Sequence, residues 1–217
     1  MTCALPVPVV LHGRTLRLEP LTTGHVPDLF EAGGADDEVW RWQSVRTPGT
    51  EEALHGLVEQ QLADQEAGLT VPFAVVLRET GRAVGQTTYL DLSAHHERLE
   101  IGSTWYGRAH WGTAVNPEAK LLLLTHAFEE LGMGRVQWKT HHRNVRSQQA
   151  IARLGARHEG VLRRHRKQPD GSWRDSVYYS MLADEWPPAK ARLVERVEGQ
   201  MEERAEGRAE ERAEERV

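Results

Sequence analysis

Residues 105–120 read W-Y-G-R-A-H-W-G-T-A-V-N-P-E-A-K, and no other stretch constrains the fold as tightly. A strand-like run ends in a turn of small residues, and the turn opens straight into a helix. Asn116 suits the N-cap, Pro117 the first helical position and Glu118 the positive end of the helix dipole. A strand-turn-helix joint of this kind aims free backbone N–H groups and the helix dipole at one spot, which suits a pyrophosphate. Gly112 and Ala114 allow a close backbone approach. Many such joints bind nothing, so the flanking sequence has to decide.

Upstream, residues 15–19 (T-L-R-L-E) alternate as a strand and a short helix fits 26–33. After D-D-E-V-W-R-W-Q, a second helix spans 50–67, capped by Thr50 with Glu51 and Glu52 in its first turn. Strands over 72–77 and 83–92 form a hairpin around Gly81, and a further strand covers 98–106. The capped helix runs over 116–131 and stops at Gly132. A strand at 135–140, a helix at 144–154 and two strands at 157–167 and 173–181 around a P-D-G-S turn complete the pattern. The order β-α-α-β-β-β-α-β-α-β-β predicts an α+β fold, three layers deep, around a mixed central sheet.

The 217 residues favour one domain with an appendage. We expect a globular domain over 1–188 and a charged tail, helical or disordered, over 189–217. From Arg204 the chain repeats R-A-E-G-R-A-E-E-R-A-E-E-R-V, whose Glu and Arg four apart support a solvated helix without an apolar stripe. A net charge of -5 and a pI near 6.1 give no basic surplus for nucleic acid. No apolar run reaches membrane length. Cys3 is the single cysteine, and the N-terminal residues lack a signal-peptide pattern, so a cytoplasmic location is expected. Neither G-x-x-x-x-G-K-[ST] nor G-x-G-x-x-G with an acidic ribose ligand occurs, which argues against ATP or NAD as the anion.

E-I-G-S-T-W (residues 100–105) followed by W-G-T-A-V-N-P-E-A-K-L-L-L-L (111–124) resembles the acetyl-CoA segment of GNAT-superfamily N-acetyltransferases. The likeness continues through G-M-G-R-V-Q-W-K-T (132–140), N-V-R-S-Q-Q-A-I-A-R-L-G-A (144–156) and E-G-V-L-R (159–163), and covers roughly 11–186. The ribosomal-protein-modifying, RimJ/RimL-like branch is the nearest match. This resemblance implies an acyl-CoA N-acyltransferase fold with splayed central strands. It implies acetyl transfer from acetyl-CoA to a primary amine (a protein N-terminus, an amino acid or a small amine) by direct attack in a ternary complex, with no metal. A homodimer is compatible with it. The alternatives are a CoA-binding regulatory protein without catalysis, or transfer of a longer acyl group.

The resemblance also assigns roles. The backbone of Trp111, Gly112, Thr113, Ala114, Val115 and Asn116 would hold the CoA pyrophosphate. The family's Q/R-x-x-G-x-G/A pattern appears here with Trp111, Ala114 and Asn116 at its three specified positions. The pantetheine arm would lie against Thr104, Trp105 and Tyr106. Asn144 would touch that arm, cap its helix, or do both. Ser147, one turn after Asn144, would give a proton to the leaving thiolate. Glu100 would act as base through water, with His141 and His142 as alternatives. Trp40 and Trp42, alternating with Arg41, are candidate acceptor-binding residues, one of which also fits a core role.

Overall fold

The computed structural model describes residues 3–214, with side chains through residue 202. Eight strands form one sheet: β1 (Leu11–His12), β2 (Leu16–Pro20), β3 (Val71–Leu77), β4 (Ala83–Ser93), β5 (Arg98–Tyr106), β6 (Arg135–His141), β7 (Arg157–Lys167) and β8 (Trp173–Leu182). Their order is β1-β2-β3-β4-β5-β6-β8-β7. Every neighbouring pair is antiparallel except β5 with β6, whose parallel pairing requires a crossover. Helix α4 (Val115–Thr125, continued as a wider turn over His126–Glu130) supplies that crossover.

Two apolar clusters sandwich the sheet. On one face α1 (Val26–Leu29, widening through Phe30–Gly34), α2 (Asp37–Trp40) and α3 (Glu51–Glu66) pack Leu29, Val39, Leu54 and Val58 onto Ala74, Val76 and Trp105. On the other, α4, α5 (Val145–Ala152) and α6 (Trp186–Glu214) cover Phe73, Tyr89, Leu99, Ile101, Val136 and Trp138. Thr50 caps α3 as its sequence predicts, accepting a bond from the Ala53 N–H at 3.2 Å. The three-layer mixed architecture expected from the element order is the one observed.

Helix α4 starts two residues earlier than its sequence suggests. Its N-cap is Ala114, and Asn116 lies within the first turn, so Asn116 is not the cap. Thr113 explains the shift: its hydroxyl accepts a bond from the Val115 N–H at 3.3 Å and donates to the His110 carbonyl at 2.8 Å. Glu118 does more than face the dipole. Its buried carboxylate accepts bonds from the N–H groups of Arg14 and Thr15 and from the Thr15 hydroxyl, fastening the β1–β2 turn to α4.

The boundary expected at 188 falls inside α6. Ala189, Leu193 and Val197 recur every four residues and are buried in the core beneath the sheet. Glu129 accepts bonds from the Trp186 indole and the Lys190 ammonium, both at 2.7 Å, and so pins the start of α6 to the end of α4. The globular unit therefore extends at least through Val197. The side chains of the repetitive segment from 203 onward, and residues 215–217 entirely, lie outside the described residues. We expect Leu193→Ala to cost about 2–5 kcal/mol of stability in chemical denaturation. A chain ending after residue 188 should fail to fold cooperatively, whereas one ending after 202 should keep its melting temperature within a few degrees.

Candidate active site

β5 and β6 pair over only three positions: Arg98 with Arg135, Leu99 with Val136 and Glu100 with Gln137. Beyond them the strands part, and a cleft of about 270 Å³ opens between them. β5 also carries a bulge against β4: between the pairs Gln86–Trp105 and Thr88–Gly102, one residue of β4 faces both Ser103 and Thr104. Ser103 takes a left-handed conformation there, with φ of 47°. The extra residue changes which face each later side chain meets. Leu99 and Ile101 join the core against α4, while Glu100 and Gly102 point to the other face. After the bulge, Thr104 reaches the α4 face and Trp105 the α1–α3 face. Gln43 locks the bulge by donating to the Thr104 carbonyl at 3.1 Å.

At the mouth of the cleft the loop before α4 is built to receive an anion. The N–H groups of Gly112 and Ala114 donate to no atom of the described residues, and α4 has no side-chain cap. Gly112 holds φ at 76°, and the space above its Cα is open. Arg146 stacks its guanidinium 3.2 Å from the Trp111 ring centroid, placing a cation beside the loop. Across the cleft, Asn144 caps α5 by accepting a bond from the Ser147 N–H at 3.1 Å. The Ser147 hydroxyl lines the cleft and has no hydrogen bond among the described residues.

Two charged groups sit deeper. Glu100 is 1% exposed and its Oε2 is paired to the Lys139 ammonium at 2.5 Å. Its Oε1 lies over Gly102, where a Cβ would come within 2.9 Å of it. Lys120, 5% exposed on α4, donates to the hydroxyls of Thr87 at 3.0 Å and Thr104 at 2.9 Å. Among the described residues it has no carboxylate partner, and burial pulls its pKa down from 10.5 to about 7.

A parted parallel pair, an open loop at a helix start and a bulged strand between them suit a CoA thioester. The sequence comparison agrees: the model of the acetyltransferase (GNAT) domain matches residues 15–157. The chain belongs to the GNAT acetyltransferase family. A candidate acetyltransferase from T. thermophilus is 42% identical, with a TM-score of 0.80 over 88% of this chain and 98% of that one. YdaF of Bacillus subtilis (strain 168), a candidate ribosomal N-acetyltransferase, is 32% identical over 110 residues, 51% of this chain and 59% of its own. Mycobacterium smegmatis RimJ in complex with CoA-disulfide shares the fold, with a TM-score of 0.76 at 23% identity over 89% of this chain and 96% of that one.

In this GNAT domain the cleft brings together most of the residues that the sequence singled out. Glu100, Thr104, Trp105, Tyr106, Trp111, Gly112, Thr113, Asn116, Asn144, Ser147 and Trp42 all line it. Three do not. Val115 is buried in the core and its N–H is taken by Thr113, so it has no free group for a ligand. Ala114 offers only its backbone N–H. Trp40 is 5% exposed, donates its indole N–H to the Gly33 carbonyl at 2.8 Å and packs 5.1 Å from Trp105. It is the core tryptophan of the pair, and Trp42 is the one at the cleft, 4.7 Å from the His141 ring.

Neither histidine alternative, His141 or His142, is among the residues lining the cleft. His141 is buried, outside the cleft lining, and its Nδ1 accepts a bond from the Arg143 N–H at 3.0 Å. Burial, aided by His142, Arg174 and Arg143, holds its pKa at about 4, so it does not titrate near neutrality. Lys120 was missed, although the pattern held a signal: it is in helical phase with buried Pro117, Leu123, Leu124 and Ala127.

Two expectations follow for the GNAT domain. Gly112→Val should weaken CoA binding at least tenfold by calorimetry, because a branched side chain at positive φ strains the loop and fills the space above it. Lys120 should give stability a pH slope. Its folded pKa is depressed, so below about 7 both states are protonated and the cost of burying the charge is complete. Between 7 and 10.5 only the unfolded state keeps the proton, and stability rises by up to about 1.4 kcal/mol per pH unit. Denaturation across that range should show the slope in the wild type and lose it in Lys120→Met.

Proposed function

We propose that this enzyme transfers an acetyl group from acetyl-CoA to a primary amine by direct attack in a ternary complex. The observation that carries the reading is the parting of β5 and β6, with the open loop at one end and the buried Glu100 on the face away from α4. The backbone of Gly112 to Ala114, with Arg146 beside it, would hold the pyrophosphate. The inner edge of β5 beyond the bulge leaves backbone groups free to pair with the amide-bearing pantetheine arm. Asn144 orients the α5 start against it.

The amine attacks the thioester carbonyl carbon, the C–S bond breaks, and two protons must be managed. Glu100 is suited to accept the amine proton through water, since Lys139 fixes one carboxylate oxygen and leaves Oε1 without a hydrogen bond among the described residues. Ser147 is suited to donate a proton to the departing CoA thiolate and to regain one from solvent, its hydroxyl being unengaged and one helical turn from the Asn144 cap. Trp42, carrying Arg41 5.0 Å from its ring centroid, forms part of the acceptor entrance.

The names of YdaF and RimJ, which belong to those proteins, make protein N-termini natural first acceptors to try. Thiol release from acetyl-CoA over peptides, amino acids and small amines tests the reading. CoA binding without release for any amine would leave a binding protein. With a working acceptor, Glu100→Gln should lower kcat about 10²–10⁴-fold at neutral pH and less at high pH, where the amine is already neutral. Ser147→Ala should lower kcat with CoA affinity within about twofold. Full activity of Glu100→Gln at every pH would remove it as base.

A further inference from the structure

The face of the cleft away from α4 holds positive charge that the protein does not neutralise. β6 pairs Lys139 with Tyr178 and His141 with Ser176 of β8, so Lys139, Tyr178, Ser176 and Arg174 share one face by strand alternation. Glu100, level with Gln137, shares that face too. On β7, Arg166 stands directly opposite Arg174. Like charges opposed across a ladder are unfavourable. Here the pair is not relieved by any carboxylate within salt-bridge distance among the described residues.

Arg174 is the sharper anomaly. It is 5% exposed, lines the cleft, and its Nε has no hydrogen-bond partner among the described residues. A buried guanidinium without a partner is costly. Among the described residues the one carboxylate lining the cleft is Glu100, and Lys139 already holds it. The loop that suits the CoA pyrophosphate lies at the start of α4, beyond the opposite face of the sheet, where Lys120 and Thr104 meet. Two histidines near this face, His165 and His141, have their pKa values pushed down first by burial and then, in part, by these cations.

We infer that the amine acceptor also bears an oxyanion, a carboxylate or a phosphate, and that Arg174 and Arg166 hold it while Glu100 faces the amine. This rests on the acetyl-transfer reading. The guanidinium fork of Arg174 has the geometry for two parallel bonds to such a group. An anion there would satisfy Arg174 and separate the two arginines electrostatically. The residues thereby define a substrate class: amino acids through their own α-carboxylate, peptides through an acidic side chain, or aminoalkyl phosphates.

The experiment compares matched acceptors by thiol release: amino acids with their amides, acidic with neutral peptides, and aminoalkyl phosphates with aminoalkanols. The wild type should prefer the anionic member of at least one pair by roughly 10- to 100-fold in kcat/KM. Arg174→Gln should abolish that preference, mostly through KM, while CoA affinity stays unchanged. Arg166→Gln, at an exposed position, should reduce it less and serves if Arg174→Gln does not fold. A second measurement is independent of turnover: with CoA saturating, calorimetry with N-acetylamino acids and inorganic phosphate should show binding that Arg174→Gln loses. No anionic preference, or a loss confined to CoA affinity, overturns the anion site and leaves acetyl transfer standing. If no amine is turned over, acetyl transfer fails, and absence of anion binding in the titration then sinks the arginine site on its own.

Discussion

Everything at the site depends on where β5 and β6 stop pairing. Three ladder positions hold them together, and the backbone groups beyond lose their partners. Unpaired buried backbone polar groups are costly, so such an edge persists only where a ligand, water or side chains take over the bonding. The fold supports the opening from both sides. α4 and its apolar face brace the closed end, while Gln43 reaches from the α2 side to the Thr104 carbonyl at the bulge. The cleft is thus a consequence of sheet topology, and loops only furnish its rim.

The chemistry of the two faces differs sharply. Beneath the sheet the core is mostly apolar, and its buried polar groups on α4 are each bonded, Lys120 to two threonine hydroxyls and Glu118 to the β1–β2 turn. Above it lie Glu100, Lys139, Arg174 and Ser176, all polar and all largely buried or half-buried. Such polarity inside a domain is expensive to maintain and is characteristic of binding sites, where a ligand completes the bonding.

Much of this was legible in the sequence. The limits of most expected strands and helices fell within a residue or two because Gly punctuates the chain so clearly, at Gly81, Gly132 and Gly155, whereas the short β1 and α2 were not anticipated. The open loop before α4 was legible because its form resides in backbone geometry. What escaped notice depended on partners distant in sequence. Asn116 is not the cap because α4 begins earlier, at a turn that Thr113 holds by bridging His110 and Val115. The tail boundary failed because the every-fourth-residue spacing of Ala189, Leu193 and Val197 is sparse within a charged run, yet it is enough to seal a core edge. Of two tryptophans two residues apart, only packing against Trp105 could choose the core one. Arg174 opposite Arg166 becomes visible only once the register of the last hairpin is known.

The bulge at Ser103 and Thr104 also fixes the length of β5. Because it shifts the alternation by one residue, Leu99 and Ile101 face α4 ahead of it and Thr104 and Tyr106 face α4 behind it, while Trp105 turns to the α1–α3 layer. Removing one residue there would exchange those faces along the rest of the strand, driving Trp105 into the α4 layer and Thr104 away from Lys120.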